Sequence, residues 1–164
     1  MRIEEAILEN RFRSESQKAG INIIYTANWL QNCMQEFLNT YHITPQQYNV
    51  LRILKSFYPL SLSTCDIRRR MLDKMSDVSR IVDRLARQGL IVRKVSLSDK
   101  RLIDIYLSDE GVALLNKIDK EQNRLEQIMS ALSKEELEII NSLLDKLRML
   151  NPDFYPYKVT DVQK

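Results

Sequence analysis

The sequence predicts a mainly α fold with a small β-wing, and three observations lead there. Between Met75 and Gly89 the apolar residues Val78, Ile81, Val82 and Leu85 fall at i, i+3, i+4 and i+7, one stripe of a helix. Past Gly89 the period drops from about 3.6 to about 2, so Ile91–Val95 and Leu102–Leu107 read as two strands joined by the polar tip Ser96–Arg101. The chain on either side has helical spacing and few helix breakers, with only three glycines and four prolines in 164 residues.

The short helix is amphipathic in an informative way. Ser76 suits its N-cap, Asp77 suits the positive end of its dipole, and Gly89 stands where a left-handed residue would stop it. The face away from the apolar stripe carries Ser76, Asp77, Ser79, Arg80 and Arg84, groups that hydrogen-bond base edges or neutralise phosphate. A helix of this kind running into a hairpin with a charged tip is the arrangement of a winged helix-turn-helix, in which the helix enters the major groove and the wing the minor groove.

Charge agrees with this. Net charge is +3, but the segment from Ser63 to Arg101 holds 11 Lys/Arg against 5 Asp/Glu, and the remainder 14 against 17. A basic centre between acidic arms suits a nucleic-acid-binding core with separate scaffold helices, or a chance cluster of solvated charges. With 44% apolar and 29% charged residues the chain reads as globular, and no run of about 18 apolar residues would cross a membrane. The opening Met1–Arg11 has acids where a secretory signal would be basic and then apolar. Cys33 and Cys65 lie 32 residues apart without a CxxC, so both read as reduced, partly buried thiols of a cytoplasmic protein. His42 is the one histidine and has no acidic or thiol cluster near it, which argues against a metal ion or cofactor. Without a phosphate-cradling glycine loop or a nucleophile–base pair, the chain reads as no enzyme.

Taken in order, Ile3, Ile7 and Leu8 suggest a short amphipathic arm, and Ser14–Gly20 a break or a weak helical turn. Ile21–Tyr41 is a stronger helix, with Ile24, Leu30, Met34, Phe37, Leu38 and Tyr41 mostly three or four apart. Tyr25 and Trp29 on it suit a core or subunit contact, or the wall of a ligand pocket. Thr44-Pro45-Gln46-Gln47 starts a helix that runs to about Phe57: Thr44 caps, Pro45 takes the first position and Gln47 closes a capping box. Ser63 opens the next helix, with Asp66 as partner and Ile67, Met71 and Leu72 as its buried side. Arg68, Arg69 and Arg70 point outward, either to phosphates or only to solvent. The turn Asp73-Lys74-Met75 joins it to the amphipathic helix, completing a helix-turn-helix. Ser108 caps a long helix with the stripe Val112, Leu115, Ile118, Leu125 and Met129. Ala131–Ser133 breaks it, and Ser133 to Glu136 is a capping box for a last helix with Leu137, Ile140, Leu143, Leu144, Leu147 and Leu150. The tail 151–164 is aromatic, with Phe154, Tyr155 and Tyr157. These final helices carry more apolar stripe than the central module needs, which points to a two-fold bundle between subunits, or to a bundle within one chain.

Several of these segments together resemble one family. Ile43–Leu51 is similar to the start of the second helix in MarR-type (multiple antibiotic resistance regulator) repressors. Ser76–Leu85 followed by Gly89-Leu90-Ile91-Val92-Arg93 resembles that family's recognition helix and the beginning of its wing. Asp99-Lys100-Arg101 matches its Asp-x-Arg wing motif, and Leu107-Ser108-Asp109-Glu110-Gly111 its Leu-Thr-x-x-Gly signature. The likeness runs from about Tyr25 to Leu150.

The resemblance implies a homodimeric winged helix-turn-helix regulator that binds palindromic double-stranded DNA and acts as a repressor. It implies one domain over 1–164, with a DNA-binding lobe at 44–107, dimerisation helices at 1–41 and 108–150, and the tail 151–164. It implies Ser76, Asp77, Ser79 and Arg80 at the major groove, Arg84 nearer the backbone, and Arg101 in the minor groove. Asp99 would orient the basic wing, with Lys100 beside it. It leaves room for a small aromatic or amphipathic effector between the dimer helices and the lobe. Two departures stand out: Asp77 occupies a position where relatives carry Ser or Thr, and Cys33 lies too late in its helix for peroxide sensing. A winged helix used only for protein contacts is the competing reading.

Overall fold

The computed structural model describes residues 1–96, 101–121 and 128–149. Its elements are α1 (Ile3–Ile7), α2 (Glu15–Asn39), α3 (Pro45–Lys55), β1 (Leu62–Ser63), α4 (Thr64–Arg70), α5 (Val78–Arg87), β2 (Ile91–Val95), β3 (Ile103–Leu107), α6 (Asp109–Glu121) and, numbered here α7, Lys134–Met149.

Local chemistry sets most of these boundaries. At α3 the Thr44 hydroxyl accepts from the Gln47 N–H at 3.2 Å, and the Gln47 carboxamide accepts from the Thr44 N–H at 2.9 Å. Ser63 and Asp66 make the same reciprocal pair at α4, and the Ser63 hydroxyl, which also donates to the Asp66 carboxylate at 2.5 Å, holds that carboxyl below its usual range, helped by the Ser63 N–H. Ser133 and Glu136 repeat it at α7. Gly89, at φ +74°, closes α5: its N–H reaches the Ala86 carbonyl and the Leu90 N–H reaches back to Leu85, both at 3.0 Å.

Three boundaries differ from the sequence reading. Ser14 does not mark a break; it caps α2, which therefore begins at Glu15 rather than Ile21. α3 ends at Lys55, and a turn rather than helix carries the chain through Phe57 to the cis Tyr58–Pro59 bond. The sheet has a third strand, β1, too short to show any periodicity.

The sheet order is β1-β3-β2, antiparallel throughout, with Leu62 opposite Ile105 and Ile91 opposite Leu107. Its inner face and helices α3 to α6 enclose one core in which Leu51, Leu54, Ile67, Val78, Leu85, Ile105, Leu115 and Ile118 are fully buried. Leu38 anchors the end of α2 in that core. Upstream the same helix is uncovered: Ile24 is 64% exposed and Trp29 47%. α7 has no buried residue at all, and Leu143 and Leu147 stand 58% and 54% exposed. Leu72 is also exposed, contrary to the expectation of a buried place on α4, because that helix stops at Arg70 and the chain turns outward. Cys33 is half-buried, whereas Cys65 is exposed, not partly buried as expected; both are free thiols. Leu125, Leu150, the wing tip at 97–100 and the tail 151–164 lie outside the described residues.

The α3–α5 lobe is braced against α6 at two points. Arg52 and Lys55 of α3 share the two Asp119 oxygens at 2.8 and 2.7 Å, and Lys55 also donates to Asn116 at 3.0 Å. At the other point Ser108 donates to the Gly89 carbonyl at 2.7 Å and accepts the Gly111 N–H at 3.0 Å. A Cβ at Gly111 would lie 2.3 Å from the Leu90 carbonyl oxygen. The Leu-Ser-x-x-Gly segment is thus a junction: its serine spans two helix ends, and its glycine lets them touch.

Candidate nucleic-acid interface

The candidate surface is built by α4, α5, the turn between them and the β2–β3 wing. On α5 the residues Val78, Val82 and Leu85 are buried, and Ser79, Arg80 and Arg84 are exposed on the other side. Arg80 has a side chain 80% exposed. The division follows directly from the i, i+3, i+4, i+7 spacing.

The helix start differs by one residue from the sequence reading. Asp77, not Ser76, is the N-cap: its Oδ1 accepts the Arg80 N–H at 3.1 Å. Ser76 lies one residue before the cap, and its hydroxyl donates to Asp73 Oδ2 at 2.9 Å. The Asp77 carboxylate also lies 3.8 Å from Arg80 Nε. That explains a carboxylate at a position where the resemblance led us to expect a hydroxyl, since Asp caps a helix as well as Ser does.

Together, Ser76, Asp77, Arg80 and Arg84 join Gln46 at the start of α3 to line a shallow recess of about 310 Å³. Gln46 carries no periodic signal, and only the packing of α3 beside α5 brings it here. The two helices are tied by Gln47, which donates to Gln88 at 2.9 Å.

Of the three α4 arginines, all exposed, Arg70 is already engaged. Its guanidinium stacks 4.8 Å from the Phe57 ring centroid and donates to the Asp66 carbonyl at 2.9 Å. Arg68 and Arg69 remain at the surface, with Lys74 donating to the Arg69 carbonyl.

The wing is a regular antiparallel pair, from Ile91 opposite Leu107 to Val95 opposite Ile103. Arg101 is exposed at its far end. Asp99 and Lys100, expected beside it, lie outside the described residues. The wing is joined to α5 by a contact the sequence did not signal: the Asp83 carboxylate pairs with Arg93 Nη1.

A second concavity, about 470 Å³, lies between α2, α3 and the α4–α5 turn. Met34, Tyr48, Met71 and Leu72 give it an apolar floor, and Gln35, Asn49 and Arg52 a polar rim. Trp29 and Tyr25 do not line it. Among the described residues there is no group of three His, Cys, Asp or Glu side chains placed to hold a metal, and no helix long and apolar enough to cross a membrane.

Comparison with known proteins agrees with this geometry. The family model described as MarR family matches residues 43–103. The chain is 31% identical over 119 residues to the HTH-type transcriptional regulator PapX of Escherichia coli, covering 72% of this chain and 73% of that protein. Among solved structures, it is similar to the S. aureus MepR–DNA complex, with 26% identity, a TM-score of 0.71, and coverage of 78% of this chain and 94% of that one. The organohalide-sensing regulator RdhR-CbdbA1625, in its 2,4-dichlorophenol-bound form, shares the fold at 21% identity and a TM-score of 0.77, over 88% of this chain and 86% of that one.

Proposed function

We propose, because the chain belongs to the MarR family of DNA-binding transcriptional regulators, that it is a homodimeric repressor of palindromic operators in the cytoplasm. Members of this family regulate transcription and are not enzymes. The observation that carries the reading is α5: its apolar side is sealed in the core while Ser79, Arg80 and Arg84 face outward, and the paired wing runs on from the same helix.

In this reading Ser76, Ser79 and Arg80 meet base edges in the major groove, and Arg84, Arg68 and Arg69 meet phosphates. Arg101, with Lys100 and Asp99, serves the minor groove. Asp77 contributes mainly by capping. Arg70 contributes little to DNA, being held on Phe57. The lobe 44–107 reads DNA, and 1–41 and 108–150 join two copies. The uncovered apolar sides of α2 and α7 support this, since apolar area of that extent is normally covered in a stable protein. Two-fold symmetry then matches the palindrome. The 470 Å³ cleft supports a small aromatic or amphipathic effector: it is in the size range of small-molecule sites and has an apolar floor with a few amide and guanidinium groups.

The test is to capture genomic fragments with the purified protein, sequence them, and titrate binding against salt. A shared inverted repeat and a steep linear loss of log affinity with log salt are expected. A salt-independent, sequence-blind signal would instead indicate a protein-binding module. Dimerisation is tested separately. Leu143→Glu should convert the protein to a monomer by sedimentation, and an unchanged dimer would remove α7 from the interface.

A further inference from the structure

Between α4 and α5 the chain runs Met71-Leu72-Asp73-Lys74-Met75-Ser76-Asp77, and three hydrogen bonds accepted by Asn49 and Asp73 hold its middle. The Asn49 Oδ1 on α3 accepts the Leu72 N–H at 3.0 Å. The Asp73 carboxylate accepts the Met75 N–H through Oδ1 at 2.9 Å and the Ser76 hydroxyl through Oδ2 at 2.9 Å. The next residue, Asp77, is the N-cap of α5. Met71 is buried in the core and Lys74 Nζ donates to the Arg69 carbonyl, whereas Leu72 is 86% exposed and Met75 83%, so apolar packing fixes the start of the turn and not its middle.

We infer that Asn49 and Asp73 are positioning residues for DNA binding: together they clamp this turn and thereby fix where the recognition helix begins. The inference rests on the reading of α5 as the recognition helix and extends it to two residues that carry no basic charge. Asp73 also lines both concavities, the 470 Å³ cleft on one side and the 310 Å³ recess beside Arg80 on the other. Asn49 lines the cleft. The clamp is therefore a wall common to the DNA-facing surface and to the cleft, and an occupant of the cleft presses on it directly.

Electrostatics and positioning predict opposite signs for one substitution. Asp73→Asn removes a negative charge beside the DNA-facing recess, and charge alone would tighten binding to phosphate. It also replaces Oδ2 with an amide N–H, so the charge-assisted bond from the Ser76 hydroxyl is lost and that hydroxyl must turn round to accept from the amide; the weaker neutral bond should weaken binding by about fivefold. Asn49→Leu keeps the size and removes only the acceptor, and should weaken binding to a similar degree. Both are measured on genomic fragments captured by the unmodified protein, across the same series of salt concentrations, with the thermal midpoint read in parallel. A lower affinity in the folded variants, with the salt slope unchanged, is the expected result.

Tighter or equal binding by Asp73→Asn, or a lowered midpoint with unchanged affinity, would overturn the assignment. If either variant fails to fold, amide hydrogen exchange in the unmodified protein decides. The Leu72 and Met75 amides should exchange at least about tenfold more slowly than unprotected amides, and unprotected rates would also overturn it. Failure of the unmodified protein to capture DNA counts against the function proposed above, whereas normal capture with indifferent variants counts against the clamp alone.

Discussion

Asp83 on α5 and Arg93 on β2 are ten residues apart and form an ion pair across the turn at Gly89. The pair joins the helix proposed to read bases to the strand that carries the wing. Both side chains are close to half exposed, at 47% and 43%. Such a pair adds under about 1 kcal/mol to folding. Its larger effect is on orientation. Arg93→Ala and Asp83→Ala should each move the thermal midpoint by no more than about 4 °C. Arg93→Ala should also weaken DNA binding several-fold. A double-mutant cycle that shows no coupling between the two sites would mean that wing and helix are held independently.

Arg80 and Arg101 should differ in what they change. Arg101→Ala is expected to weaken binding several-fold across sequences and to reduce the salt slope by about 1, as loss of one phosphate-neutralising charge does. Arg80→Ala should cost about 1–3 kcal/mol at the preferred site and relax discrimination at one base-pair position. Titrations on matched and mismatched fragments at two salt concentrations separate the two effects. Unchanged affinity for Arg101→Ala would count against the wing's role.

The glycines give a stability test that does not involve DNA. Gly111→Ala places a methyl 2.3 Å from the Leu90 carbonyl oxygen and 2.8 Å from Leu107 Cδ1, neither of which is the end of a flexible chain in open space. It should cost about 1–3 kcal/mol, read by denaturant titration. Gly89→Ala meets no neighbour within 4 Å, but its φ of +74° strains any side chain, at about 1–2 kcal/mol. A wild-type midpoint for Gly111→Ala would mean that α6 can shift away at no cost.

Tyr41 sets a limit at high pH. Its hydroxyl is buried without a hydrogen-bond partner among the described residues. Burial, with the Glu121 carboxylate adding to it, raises its pKa from 10.0 to about 12. The folded chain keeps a proton that the unfolded chain releases above pH 10, so this contribution to stability is complete below pH 10 and is lost as pH rises toward about 12. Tyr41→Phe should flatten that part of the stability–pH curve. It should also change stability at pH 7 by no more than about 1 kcal/mol, because what is given up is a weak interaction with the Glu121 carboxylate. Identical alkaline curves for the two proteins would contradict this.

Legibility in the sequence followed the range of the interaction. Caps at Thr44, Ser63, Ser108 and Ser133 were readable because both partners lie within three residues of each other. The buried side of α5 was readable because period alone determines it. Ser76 misled because the adjacent Asp77 is an equally good cap, and propensity does not rank the two. Leu72 misled because an apolar residue after a helix end need not turn inward. The Asp83–Arg93 pair, the arrival of Gln46 beside Arg84, and the stacking of Arg70 on Phe57 each depend on how elements meet in space. The family resemblance supplied the order of the parts, but not these contacts.

The abutment of Gly111 on the Leu90 carbonyl has a mechanical consequence. Where two rods are separated by pliable side chains, a tilt of one is absorbed before it reaches the other. Here α6 bears on the backbone just beyond α5 with no cushion between them. A torque applied to α6 by its neighbours therefore reaches the C-terminal end of α5, the helix proposed to face DNA.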